Sequence, residues 1–172
     1  MKLTWFGGTT LRIHTGGKIL VVDPAAPAGV DPDELVSGAD VTFALGEAGE
    51  AVDPVLWQPR RQAAMLDAED LPEVVVHGLA EGGALIAAAG EPPLLLLHHP
   101  LPKAGRWTRD AVVVVLGDDA PALAAAALES LAPKLIAIAA PEAVADACFA
   151  ALGTQLGGTG MVALEAGLAV EL

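Results

Sequence analysis

Two runs of consecutive aliphatic residues, PLLLL at residues 93–97 and AVVVV at residues 111–115, constrain this chain most. A strand that is apolar at every position needs cover on both of its faces, whereas a half-exposed strand alternates apolar and polar residues. Turn-forming Gly and Pro residues bound these runs, and they also bound the apolar runs EVVVH and ALIAAAG that precede them. The sequence therefore predicts a layered α/β domain in which several strands are buried between other layers.

The first half of the chain is typical of short strands separated by turns. Residues 2–23 contain KLTWF, TLRIH and KILVVD, separated by two Gly-Gly pairs, which predicts a meander of three strands. Asp31 as N-cap, Pro32 in the first turn and Gly38 at the end predict a short helix before a strand at residues 41–45. The segment RRQAAML is weakly helical, and EVVVH, ALIAAAG and PLLLLHHP are three predicted strands.

From Asp110 the pattern alternates between strand and helix. DAVVVVLG and KLIAIAA are predicted strands, and DDAPALAAAALESLAP is a predicted helix with Asp119 near its N-cap and Pro133 at its end. PEAVADACFAALG is a second helix, opened by Pro141 and ended by Gly153. We expect MVALEAG and LAVEL to close the chain as a hairpin of two paired strands.

Composition limits the classes of function. A chain of 172 residues with 53% hydrophobic side chains suits one domain over residues 1–172. The net charge of −13, with nine scattered basic residues, argues against a nonspecific nucleic-acid binder and against binding to acidic membranes. The single cysteine, Cys148, lies in an apolar helical pattern and is interpreted as a core thiol. No apolar segment has the length of a membrane span, so we expect a soluble, cytoplasmic protein.

The segments MKLTWFGGTTLRIHTGGKILVVDP, SGADVTFALGEAGEA and GMVALEAGLAVEL together resemble the metallo-β-lactamase superfamily, in particular its small metal-dependent hydrolases. MKLTWFGGTTLRIHTGGKILVVDP is similar to the family's opening strands, which contain a Gly-His turn and end in an IDP-like motif. SGADVTFALGEAGEA resembles the family's ADVILVTHGHGDH strand and loop, and GMVALEAGLAVEL resembles its closing hairpin. The resemblance is weakest between Val55 and Thr108. It implies a shortened αβ/βα sandwich of the α/β (α+β) class.

The family's metal ligands have almost no counterparts here. Its turn histidine falls on Gly8, and the histidine that follows its late strand falls near Ala140. The four ligand positions of its HxHxDH loop fall on Gly46, Ala48, Glu50 and Ala51. Asp23 matches the aspartate of the family's DP motif, and the bridging aspartate expected after PLLLLHH has no counterpart. The resemblance thus implies a vestigial active-site pocket formed by Asp23, Gly46, Ala48, Glu50, Ala51, His77, His98 and Ala140.

Glycine and alanine have no side-chain donor for a metal, and a hydrolytic zinc site needs at least three protein ligands that converge on the ion. We therefore expect a protein without catalytic residues, metal or cofactor, which acts as a binding, scaffold or assembly factor. The alternative is a metal-dependent hydrolase with a rebuilt zinc site that uses Asp23, Glu50 and one or more of His77, His98 and His99. A magnesium site at the acidic residues of the loop is a further interpretation, and a solvated acidic loop is favoured over it.

The two aliphatic runs also predict assembly. Because PLLLL and AVVVV need cover on both faces and the chain lacks the family's long loops, we expect a homodimer or a stable complex with another protein. Light scattering of the purified protein at low micromolar concentration measures its mass. A monomer with no exposed apolar patch would contradict the prediction.

Overall fold

The computed structural model describes residues 1–25, 29–59, 74–79 and 82–172 of the chain. The protein is of the mixed α/β class, and its described residues form two mixed sheets and three α-helices. The elements are, in chain order, β1 (Lys2–Gly7), β2 (Thr10–Thr15), β3 (Lys18–Val22), α1 (Pro32–Val36), β4 (Val41–Phe43), β5 (Glu50–Ala51), β6 (Val74–Gly78), β7 (Ala84–Ala88), β8 (Leu94–Leu97), β9 (Val112–Leu116), α2 (Ala120–Leu131), β10 (Leu135–Ala139), α3 (Glu142–Leu152), β11 (Gly160–Ala163) and β12 (Ala169–Glu171).

The first sheet has the strand order β12-β1-β2-β3-β4. Strands β1, β2 and β3 form the predicted antiparallel meander, and the β2–β3 turn has positive φ at both Gly16 and Gly17, as a tight hairpin turn requires. Helix α1 then leads to β4, which pairs in parallel with β3. The predicted N-cap is confirmed, because the Asp31 carboxylate accepts a hydrogen bond from the Asp33 amide.

The second sheet has the order β11-β10-β9-β8-β7-β6-β5. Strands β6, β7 and β8 are antiparallel neighbours, whereas β8, β9, β10 and β11 are parallel. Helix α2 connects β9 to β10, and α3 connects β10 to β11. Both helices pack on the same face of this sheet, so the predicted alternation of strand and helix is confirmed up to α3.

Two apolar cores lie on opposite faces of the seven-stranded sheet. Leu94 and Leu96 of β8 belong to the inner core, which also contains side chains of β1, β2 and β3 from the first sheet. Leu95 and Leu97 belong to the outer core, which contains side chains of α2 and α3. The side chains of β9 alternate between the two cores in the same way. The continuous apolar runs are therefore covered within one chain, and Cys148 lies in the outer core as predicted.

The predicted closing hairpin is wrong. Strand β11 pairs in parallel with β10 at the edge of the second sheet, and β12 pairs antiparallel with β1 at the edge of the first. The crossover through α3 returns the chain parallel to β10, so β11 extends that sheet and has no pairing with β12. Leu164 then enters the inner core, and a turn with positive φ at Gly167 carries the chain to the other sheet.

Two further expectations concern the segment RRQAAML and membrane-spanning helices. The weakly helical segment RRQAAML lies outside the described residues. In the part of the chain that is described, no helix is both long enough and apolar enough to cross a membrane.

Leu96 allows the inner core to be tested. Its side chain is fully buried, and truncation of a buried leucine to alanine typically costs about 2–5 kcal/mol in the free energy of unfolding. We expect Leu96→Ala to lose stability in this range, measured by urea denaturation. The control is Leu56→Ala at a leucine that is 76% exposed, for which the change should stay within about 0.5 kcal/mol. Equal losses in the two variants would contradict this account of the core.

Candidate functional site

The carboxyl ends of several strands meet at one edge of the structure. In the second sheet β6, β8, β9 and β10 run in the same direction, and β3 and β4 run together in the first. Asp23 follows β3, and His98 follows β8. In open α/β sheets ligands bind in the crevice beyond the carboxyl ends of the strands, which makes this edge the candidate site.

Asp23 holds the two carboxyl-end loops of the first sheet together. Its amide donates to the carbonyl of Phe43 at 2.9 Å, and its Oδ1 accepts from the amide of Leu45 at 3.1 Å. Its carbonyl accepts from the Thr10 hydroxyl at 2.9 Å. Asp23 also has a positive φ of 44°, a conformation that aspartate tolerates better than most residues. One oxygen of the carboxylate therefore has a structural role.

His98 lies within electrostatic reach of Asp23. Burial lowers the pKa of His98 below its ordinary value, the neighbouring His99 lowers it further, and the carboxylate of Asp23 opposes both. The two imidazole rings lie with their centroids 4.3 Å apart, and His99 is exposed. The Nδ1 atom of His98 is buried and has no hydrogen-bond partner among the described residues. The carboxylate of Asp23 thus acts on the imidazole of His98 from the strand ends of the other sheet.

Glycines leave room beside this imidazole. A Cβ atom at Gly82 would lie 2.9 Å from Cε1 of His98 and 3.8 Å from the Cα atom of Gly46. A Cβ at Gly46 itself would meet no atom within 4 Å. Gly46 therefore belongs to the surroundings of His98. Gly82 was not among the expected residues, although the Gly-Gly pair before β7 is a signal of close backbone approach.

Glu50, Ala51 and His77 lie apart from His98. Strand β5 pairs in parallel with β6, with Glu50 opposite His77 and Ala51 opposite Gly78. Both β5 residues are exposed, and β7 separates β6 from β8. The His77 ring packs edge-on against Trp57, with centroids 6.4 Å apart. This ring contact was not expected from the sequence.

The two alanines of the predicted pocket are packing residues. Ala48 is buried in the inner core, and Ala140 is buried in the outer core beside the helices. The eight predicted residues thus divide between the surroundings of His98, the β5–β6 pair and two cores. Among the described residues, no group of three or more His, Cys, Asp or Glu side chains is placed to hold a metal ion.

The loop between β4 and β5 packs its backbone directly on β6. Gly49 has a positive φ of 30°, and a Cβ atom there would collide with the carbonyl oxygen of Val76. Gly78 faces the carbonyl of Ala48 in the same contact. Small residues are therefore needed in this loop for the approach of the two backbones.

Comparison of the chain with family models, with curated proteins and with solved structures finds no match.

The loop contact predicts that an added methyl group destabilises the protein at Gly49 but not at Gly46. Gly49→Ala introduces both an unfavourable φ and a collision with backbone, so we expect a loss of at least about 1–3 kcal/mol in the free energy of unfolding. Gly46→Ala is the matched control, because its added methyl meets open space, and we expect a change within about 0.5 kcal/mol. Urea denaturation measures both. A tolerated Gly49→Ala would contradict the described contact.

Proposed function

We propose that the protein is a noncatalytic relative of the metallo-β-lactamase superfamily, a pseudoenzyme that acts as a binding, scaffold or assembly factor. The sequence resemblance to the family's opening strands and loop supports this proposal. The two-sheet arrangement, with α2 and α3 outside the second sheet and α1 beside the first, is compatible with a shortened αβ/βα sandwich.

One observation carries the noncatalytic part of the proposal. Two of the positions that the resemblance assigns to ligands hold packing residues: Ala48 is buried in the inner core and Ala140 in the outer core, on opposite faces of one sheet. Neither side chain has a donor atom. A zinc hydrolase needs at least three donors that converge on one ion and leave a position for water. Within the described ranges, the side chains at the positions that the resemblance assigns to ligands do not supply such a set of donors.

The proposed partner is another protein or a second copy of this chain; this follows from the noncatalytic role, since the aliphatic runs of β8 and β9 are covered within the chain itself. The net charge of −13 disfavours nucleic acid and acidic membranes as partners. A cytoplasmic location is part of the proposal, because a single buried cysteine suits a reducing compartment.

The alternative function is a metal-dependent hydrolase with a rebuilt zinc site. The buried Nδ1 of His98, with Asp23 and His99 nearby, favours this alternative. The positions of Glu50 and His77 on the far side of β7 do not favour it, since they bring no third donor toward His98.

Metal analysis distinguishes the two functions. We expect protein purified without added metal, and protein dialysed against zinc and then against buffer, to carry far less than one equivalent of zinc, iron or manganese by plasma mass spectrometry. Loss of even an outer hydrogen-bonding partner of a ligand weakens metal binding roughly 10- to 100-fold, and here whole ligands are replaced. We also expect no hydrolysis of lactams, phosphodiesters or thioesters.

If stoichiometric metal is found, two variants show where it binds. Stoichiometric metal that is lost in His98→Ala or His77→Ala would overturn the noncatalytic proposal and favour the rebuilt site. Metal that persists in both variants would point to adventitious binding on the acidic surface, and the noncatalytic proposal would stand.

A further inference from the structure

A depression of about 510 Å³ lies at the edge of the second sheet opposite to Asp23 and His98. Its walls come from three places: Arg109 before β9, the segment after α2 that ends at Lys134, and the Gly-rich loop between α3 and β11. Because β9, β10 and β11 are parallel, their amino ends bring these three segments together. The depression is thus a product of the topology and is separate from the candidate site described above.

The depression is positively charged on a strongly acidic protein. Arg109 and Lys134 are two of only nine basic residues in a chain with 22 acidic ones, and no Asp or Glu lines the depression in the described part of the chain. Asp110, the chain neighbour of Arg109, is exposed outside it. Neither cationic side chain has an ion pair or a hydrogen bond to another described residue. Two cations are therefore available to a ligand.

The Gly-rich loop adds backbone donors in a fixed position. The amides of Thr159 and Gly160 donate to the carbonyls of Leu156 and Lys134, each at 2.9 Å, and the Thr159 hydroxyl donates to the carbonyl of Pro133 at 2.7 Å. Between these anchors Gly157 and Gly158 have positive φ values of 57° and 105°. Their own amides make no hydrogen bond to any described residue. Unpaired amides in such turns are favourable contacts for anions.

Apolar side chains complete the wall. Leu128 of α2 and Leu156 of the loop are half-buried and pack at the margin of the outer core. A ligand here would meet both cationic or polar groups and aliphatic surface, the usual composition of a site for a small organic molecule.

We propose that this depression binds a small organic anion, a phosphate or carboxylate group carried on an apolar body. Arg109, Lys134 and the amides of Gly157 and Gly158 contact the anionic group, and Leu128 and Leu156 contact the apolar body. The competing explanation is that the two cations only stabilise the carboxyl end of α2, where the helix dipole favours positive charge.

Amide NMR titration of the full chain separates the two explanations. The probes are phenyl phosphate, benzoate, inorganic phosphate and the neutral benzyl alcohol. We expect one or both aromatic anions to shift the amide resonances of Gly157 and Gly158 saturably, with weaker shifts from inorganic phosphate and the weakest from benzyl alcohol. Phenyl phosphate and benzoate distinguish the two anionic groups. Added sodium chloride should weaken the binding, because salt screens exposed charges.

Charge-removing variants test the contacts. Arg109→Gln and Lys134→Gln should each weaken binding about two- to fivefold, the range expected of one exposed ion pair. Lys2→Gln removes one positive charge at an exposed position in β1 of the other sheet and should leave the affinity unchanged. Three outcomes would overturn the proposal. The first is that no probe gives saturable shifts, and the second is that benzyl alcohol gives shifts equal to those of the aromatic anions. The third is that Arg109→Gln and Lys134→Gln lower the melting temperature without any effect on affinity.

Discussion

Burial of the central strands on both faces is the constraint on which the rest of the structure depends. Strands β8 and β9 are aliphatic at every position and send alternate side chains into two separate cores. One face needs a second sheet and the other needs helices, so both layers are required for a stable fold. Because both faces are occupied, the ends of the strands are where a ligand can reach the central part of this sheet. The candidate site lies at the carboxyl ends of the strands, and the depression at Arg109 and Lys134 lies at their amino ends.

Near the amino end of β8, a polar contact joins the two sheets. Glu91, in the turn before β8, accepts hydrogen bonds from the Thr15 hydroxyl and the Gly16 amide of the first sheet, and it pairs with the amino group of Met1 at 3.3 Å. Burial alone would raise the pKa of Glu91, but these partners together hold it below its ordinary value. At the carboxyl ends of the strands, Asp23 joins two loops of the first sheet, and the loop at Gly49 lies against the backbone of β6 in the second sheet. The two sheets are therefore fixed at both ends by different means.

Most elements could be predicted from the sequence because their signals are local. The Gly-Gly turns, the cap at Asp31 and the apolar runs bounded by Gly and Pro were enough for the meander, the helices and the central strands. The closing hairpin was wrong because β11 and β12 find their partners in different sheets, which local pattern does not encode. The surroundings of His98 could not be derived from local patterns, because Gly46 and Gly82 come close to it only in the folded chain, and whether Ala48 and Ala140 face a pocket or a core depends on tertiary packing.

The packing of the β4–β5 loop limits which side chains its positions can hold. An imidazole at position 48 would have to enter the inner core, where the methyl group of Ala48 is now buried, and burial of a polar ring without a partner is unfavourable. Position 49 has no space for any side chain beside Val76. Position 46, in contrast, opens onto free space. The backbone of this loop follows a path that is possible only with small residues at positions 48 and 49. A metal site in the loop would therefore require a different backbone path as well as different side chains.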